Sequence, residues 1–201
     1  MEFTLVYEGP LKPHGKGGSS HRQDIRSQFN EQLKVLWEAE PLKSHMPRAL
    51  GDANIDYVET FSATAEGREP RKEPSTVREV SGNHYLPIVA AQHSLTARID
   101  ITWFRDEPPG KVLQIGDIDN RLKTLLDCLQ TPPVGQATNE DLGTSLKEPF
   151  FTVLDDDALI SEFSVKTVRD LRTCAAQGKV LLMIQVRPIV VASQINNQPF
   201  M

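Results

Sequence analysis

Two groups of carboxylates hold the residues of this chain best suited to chemistry. The first is Gly116-Asp117-Ile118-Asp119-Asn120, running into Arg121-Leu122-Lys123; the second is the bare run Asp155-Asp156-Asp157. Carboxylates gathered at the starts of elements either cap helices or hold a divalent cation. Hard oxygen donors of this kind suit Mg²⁺, with Mn²⁺ as a substitute, and not zinc. Neither Cys128 nor Cys174 has a spaced Cys or His partner, and the five histidines show no ligand spacing, so no zinc site is expected.

Both readings apply to the first group. Asp117 and Asp119 stand where an amphipathic helix begins, and orphan N–H groups and the helix dipole favour negative charge there. One of them is thereby accounted for as a cap. A helix needs only one cap, however, and two aspartates with Asn120 repel one another unless something cationic sits between them. Lys123 follows Asp119 by four residues and shares its helix face. It either forms an ion pair worth about 0.3 to 0.5 kcal/mol or stabilises charge on a phosphate oxygen. In the second group, strand alternation points Asp156 away from Asp155 and Asp157. One carboxylate of the run then turns towards the helix start while the others stay in water; a wholly solvated turn is the plain alternative.

The elements that must position these groups are legible from periodicity. Phe3 to Tyr7 reads as a strand closed by Gly9-Pro10, and Lys12 to Ser20 as a mobile basic loop. Ile25, Phe29, Leu33, Leu36 and Trp37 recur at helical spacing within a helix over His21 to Glu40, which Pro41 stops. Residues 41–84 read as a surface excursion with one short element near Ile55 to Phe61. Tyr85 to Ala90 and Leu95 to Phe104 are strands, the second nearly alternating, and Asp106 to Gly110 is a turn. Ile118, Leu122, Leu125, Leu126 and Leu129 give the second helix, ended near Thr131-Pro132-Pro133. A long loop over Val134 to Pro149 follows, then strands at Phe150 to Leu154, Ile160 to Val168 and Lys179 to Arg187. This order predicts a single α+β domain, a mixed β-sheet with helices packed on one face.

Bulk properties bound the function. The chain has 201 residues, 39% hydrophobic and 24% charged, enough for one well-cored domain. Its two cysteines do not make a disulfide framework, which fits a reducing cytosol. No apolar run reaches membrane-spanning length, and the start lacks a secretory pattern, so a cytoplasmic location with no membrane partner is expected. A formal net charge of −5 argues against coating nucleic acid by bulk electrostatics, yet leaves room for a local basic patch beside a bound metal. Lys12, Lys16, Arg22, Arg26 and Arg121 are the candidates to hold phosphates. No nucleophile elbow, phosphate-binding loop or dinucleotide fingerprint is present.

The motif Asp117-Ile118-Asp119-Asn120, with Lys123 three residues on, followed by Leu154-Asp155-Asp156-Asp157-Ala158-Leu159-Ile160, resembles the RusA family of Holliday junction resolvases. The order of elements is similar over about residues 1–40 and 95–188, leaving 41–84 and 131–149 as extensions. The resemblance implies a RusA-like fold and a homodimeric, Mg²⁺-dependent endonuclease cutting four-way DNA junctions in recombination and repair. It implies that Asp117, Asp119 and Asp156 bind metal, with Asp155 the competing choice, that Lys123 assists catalysis and that Asn120 orients a ligand. The alternatives are a nuclease of the same fold acting on other branched or single-stranded nucleic acid, and a non-catalytic binding module.

Overall fold

The computed structural model describes residues 1–16, 18–50, 75–105, 118–134, 148–171, 179–193 and 195–201. Asp117, the short element expected near Ile55 to Phe61 and the turn at Asp106 to Gly110 lie outside the described residues. The elements are β1 (Phe3–Gly9), α1 (Gly18–Trp37), α2 (Leu42–Ala49), β2 (Arg78–Val80), β3 (Asn83–Val89), β4 (Leu95–Arg105), α3 (Ile118–Leu129), β5 (Phe150–Leu154), β6 (Ile160–Arg169) and β7 (Val180–Val190). The class is α+β, as expected, but the strands make two mixed sheets where one was expected. Four strands run in the order β1-β7-β4-β6 and three in the order β2-β3-β5.

Alternation explains the larger sheet. Leu5 and Tyr7 of β1, Leu182, Ile184 and Val186 of β7, and Ala97, Ile99, Ile101 and Trp103 of β4 all point to one face and are buried. The residues between them, among them Thr4, Val6, Gln185 and Arg187, face solvent. α1 covers the buried face with Ile25, Phe29, Leu33 and Trp37, the stripe that its helical spacing predicts. Each such fully buried side chain contributes about 1.5 to 3 kcal/mol by leaving water. The rings interlock: Tyr7 lies 6.1 Å from Phe29 and Trp37 lies 6.0 Å from Phe151 of β5, so one core joins both sheets. Gly9 is required at the end of β1, because a Cβ there would come within 2.7 Å of the Tyr7 hydroxyl, which itself donates to the Pro10 carbonyl at 2.6 Å.

Residues 41–84 hold more structure than a surface excursion. α2 lies against α1, and β2 forms a tight hairpin with β3 in which Val80 opposes Asn83. Ser81 and Gly82 both take positive φ, 54° and 81°, the conformation of a primed two-residue turn that glycine adopts without strain. β3 then pairs in parallel with β5, and β4 in parallel with β6. Among the described residues no helix is long and apolar enough to cross a membrane.

Candidate functional site

α3 organises the candidate site. Leu125, Cys128 and Leu129 bury its inner face, and burial pushes the Cys128 thiol up to about 12. Asp119 lies in its first turn, where the helix dipole favours a carboxylate. Asp119 and Lys123 are both exposed. Neither takes an ion-pair partner among the described residues, so the pair that their spacing allows is not formed. Asn120 contributes its backbone: its carbonyl accepts the His14 N–H at 3.0 Å and the Thr124 hydroxyl at 3.2 Å.

The segment expected to be a mobile basic loop is instead pinned alongside α3. Besides the His14 N–H contact, His14 Nδ1 lies 3.1 Å from Asp127 Oδ2, and the Lys12 N–H donates to His21 Nε2 at 3.1 Å. Burial first, then the Lys12 ammonium, lowers the His21 pKa, which suits a ring nitrogen acting as acceptor. The side chains of Lys12 and Lys16 stay exposed on this anchored segment. Arg121 is half-buried, and Arg22 is half-buried on α1.

Arg26 is different from the other phosphate candidates. It is only 2% exposed, and its Nη2 donates to the Asp127 carbonyl at 2.7 Å, so it ties α1 to α3 inside the molecule and has no face for a phosphate. Its position on the buried stripe, one residue after Ile25, is the reason. Burial lowers its pKa, with the nearby Asp127 acting in the opposite direction.

The second carboxylate group lies at the other end of α3. The Thr131 N–H donates to the Leu154 carbonyl at 2.9 Å, and Gln130 Oε1 accepts the Asp157 N–H at 2.9 Å. Asp119 is eleven residues before Gln130, roughly 16 Å along the helix axis. The run does not continue as a strand: Asp156 caps a short 3-10 turn over Asp157–Leu159, its Oδ1 accepting the Ala158 N–H at 2.8 Å. Asp155 alone turns inward, but towards Arg78 and not towards the start of α3. Arg78 Nε and Nη2 donate to the two Asp155 oxygens at 2.8 and 2.6 Å, a two-pronged contact that raises the Arg78 pKa. With both oxygens engaged, Asp155 is ill suited to the ligand role that competed with Asp156.

The donor set therefore fits a hard divalent ion in chemistry and only in part in arrangement. Among the described residues no three Asp, Glu, His or Cys side chains converge on one point. Asp119 offers an exposed carboxylate with no ion-pair partner among the described residues, and Asp117, two residues before it, is the next carboxylate in the sequence. Arg78, Gln130 and His14 were not singled out from the sequence. The first two sit next to a Ser-Gly hairpin turn and a Pro-Pro helix stop, and those signals locate the elements without showing that they meet. No protein-family model matches the chain, and a search of curated proteins finds no match to it.

Proposed function

We propose that this chain is a divalent-metal-dependent, RusA-like nuclease that hydrolyses nucleic-acid phosphodiesters at the N-terminal end of α3. The observation that carries the reading is the anchoring of the loop. His14 holds Lys12 and Lys16 beside a helix whose first turns present Asp119 and Lys123 to solvent, without an ion-pair partner among the described residues. Asp119, with Asp117, would hold the ion, and Mg²⁺ or Mn²⁺ there would supply Lewis-acid stabilisation and an activated water. Lys123, one turn along the same face, donates to a phosphate oxygen as charge develops. Lys12 and Lys16 hold neighbouring phosphates and set the register of the strand, with Arg121 and Arg22 on the flank.

The resemblance in motif makes branched DNA, a four-way junction foremost, the proposed substrate and a homodimer the proposed form. Asp156 enters as a third ligand through that resemblance alone. A specific observation favours a second reading, a non-catalytic nucleic-acid-binding module: Asp119 and the acidic turn at Asp155 to Asp157 stand at opposite ends of α3.

One experiment separates these. Labelled four-way junction, flap, single-stranded and linear duplex DNA are incubated with Mg²⁺, Mn²⁺ or EDTA, using the parent chain, Asp119→Asn and Asp156→Asn. Metal-dependent cleavage lost in Asp119→Asn supports the nuclease, and paired nicks in the junction make it a resolvase. Retention of cleavage in Asp156→Asn confines the ligands to the start of α3. Binding in EDTA with no cleavage of any substrate supports the module.

A further inference from the structure

The exposed edges of the two sheets are treated unequally. On β1, Gln32 of α1 lays its amide against Val6: the Val6 N–H donates to Gln32 Oε1 and Gln32 Nε2 donates to the Val6 carbonyl, both at 2.8 Å. A side-chain amide thus does the work of a neighbouring strand. On β5, the Phe151 N–H donates to Asn30 Oδ1 at 2.8 Å. β6 spans ten residues, and among the described residues it pairs only with β4 and no side chain satisfies its outer edge. Ser161, Glu162, Phe163 and Ser164 are all exposed, although they alternate between the two faces. Phe163 opposes Ile99 on the core-facing side, yet Phe163 is 44% exposed and Ile99 fully buried.

A long exposed edge strand recruits another strand unless its side chains prevent it. The charges on β6 permit one partner in one register. In an antiparallel pairing centred on Ser164, Glu162 faces Lys166, Phe163 faces Val165, Ser161 faces Thr167 and Ile160 faces Val168. Every pair recurs by symmetry, opposite charges meet, and apolar residues meet apolar ones. Moving the centre by half a residue, to between Ser164 and Val165, sets Phe163 against Lys166; centring on Val165 sets Glu162 against Val168. Lys166 is exposed and without an ion-pair partner among the described residues, while Glu162 lies 3.2 Å from Arg98 with room for a second cation.

We propose that β6 pairs antiparallel with β6 of a second copy of this chain about a two-fold axis through Ser164, joining two four-stranded sheets into one. The contact is isologous and closes on itself, covering Phe163 of both copies. The homodimer is the form proposed above from the resemblance in motif; the inference here rests on that reading for the two-copy form alone, adds the surface that joins the copies, and stands whether or not the chain cleaves.

Sedimentation velocity of the full chain over a concentration series tests it, comparing the parent with Lys166→Glu, Glu162→Lys and the double exchange. Each single reversal turns two attractive pairs into two repulsive ones and is expected to weaken the dimer about ten-fold or more; the double exchange restores it. In a Cys174→Ser background, oxidised Ser164→Cys is expected to yield a covalent dimer, and Thr167→Cys, which does not face itself, is not. Should a reversal disturb folding, seen as a lowered melting temperature, the cross-linking pair decides. A monomer at every concentration overturns the proposal. So does a dimer that neither responds to the reversals nor cross-links through Ser164→Cys, since another face would then hold it.

Discussion

The two ends of α3 carry similar acidic sequences and have opposite physical characters. At its start, Asp119 and Lys123 stand in solvent with no ion-pair partner among the described residues, beside an anchored loop that displays two more cations. At its end, Asp155 is gripped by Arg78, Asp156 caps its own turn, and the Asp157 N–H is held by Gln130. Charged groups left unpaired at a helix terminus are available to a ligand, whereas groups that already satisfy one another are part of the scaffold. The contrast teaches that a run of three aspartates need not leave a carboxylate open to a ligand, whereas Asp119, at a helix start, keeps its own in solvent.

Substitutions at the two ends should therefore fail in different ways. On the proposed nuclease reading the largest effect is expected for Asp119→Asn, which should lower single-turnover cleavage by at least about 100-fold, because metal charge stabilisation is worth several kcal/mol. Its stability to urea should change by no more than about 0.5 kcal/mol, since Asp119 is exposed and has no ion-pair partner among the described residues. A large loss of stability with cleavage intact would erase the contrast and make Asp119 a structural cap.

Arg26→Met should act oppositely, costing about 1 to 3 kcal/mol in urea unfolding by removing the charged hydrogen bond to the Asp127 carbonyl. Because burial opposes the charge of Arg26, a cost at the lower end of that range would mean that desolvation offsets most of the bond. Arg78→Ala follows with about 1 kcal/mol, discounted because Arg78 is nearly half exposed. A double-mutant cycle with Asp155→Ala measures the coupling directly, and additive effects would show that the grip on the acidic turn is nominal.

The smallest effect is a pH dependence at His21, which anchors the loop through its neutral Nε2. The folded-state pKa lies below the ordinary 6.5, so the unfolded chain takes up the proton first. The contribution is complete above about 6.5 and is lost as pH falls through the lowered folded value. Melting temperatures from neutral to mildly acidic pH should show a fall that His21→Gln removes. The same titration in the parent should loosen the Lys12 amide, read by hydrogen exchange, before α3 itself opens.

How much was legible depended on whether a feature is local. The stripe of α1, the alternation of β4 and the apolar face of α3 are set by spacing along the chain, and the structure contains all three. The extra helix α2 and strand β2 were missed because an eight-residue helix containing Pro47 and a three-residue strand are too short for a clear period. Arg26 was misread as a surface cation because its chemistry suggests phosphate and only its helical phase, beside Ile25, shows burial. The acidic turn was assigned strand alternation, which a cap at Asp156 abolishes.

The sequence by itself determined the residue types available, the amphipathic faces and the start of α3, since these follow from backbone periodicity and cap chemistry over a few residues. Only the tertiary structure decided that the strands divide into two sheets, that the basic loop lies against α3 and that Arg78 reaches Asp155 across 77 positions of chain. Those contacts join segments whose mutual approach is governed by packing of the shared core, and no local spacing encodes which end of a helix a distant turn will meet.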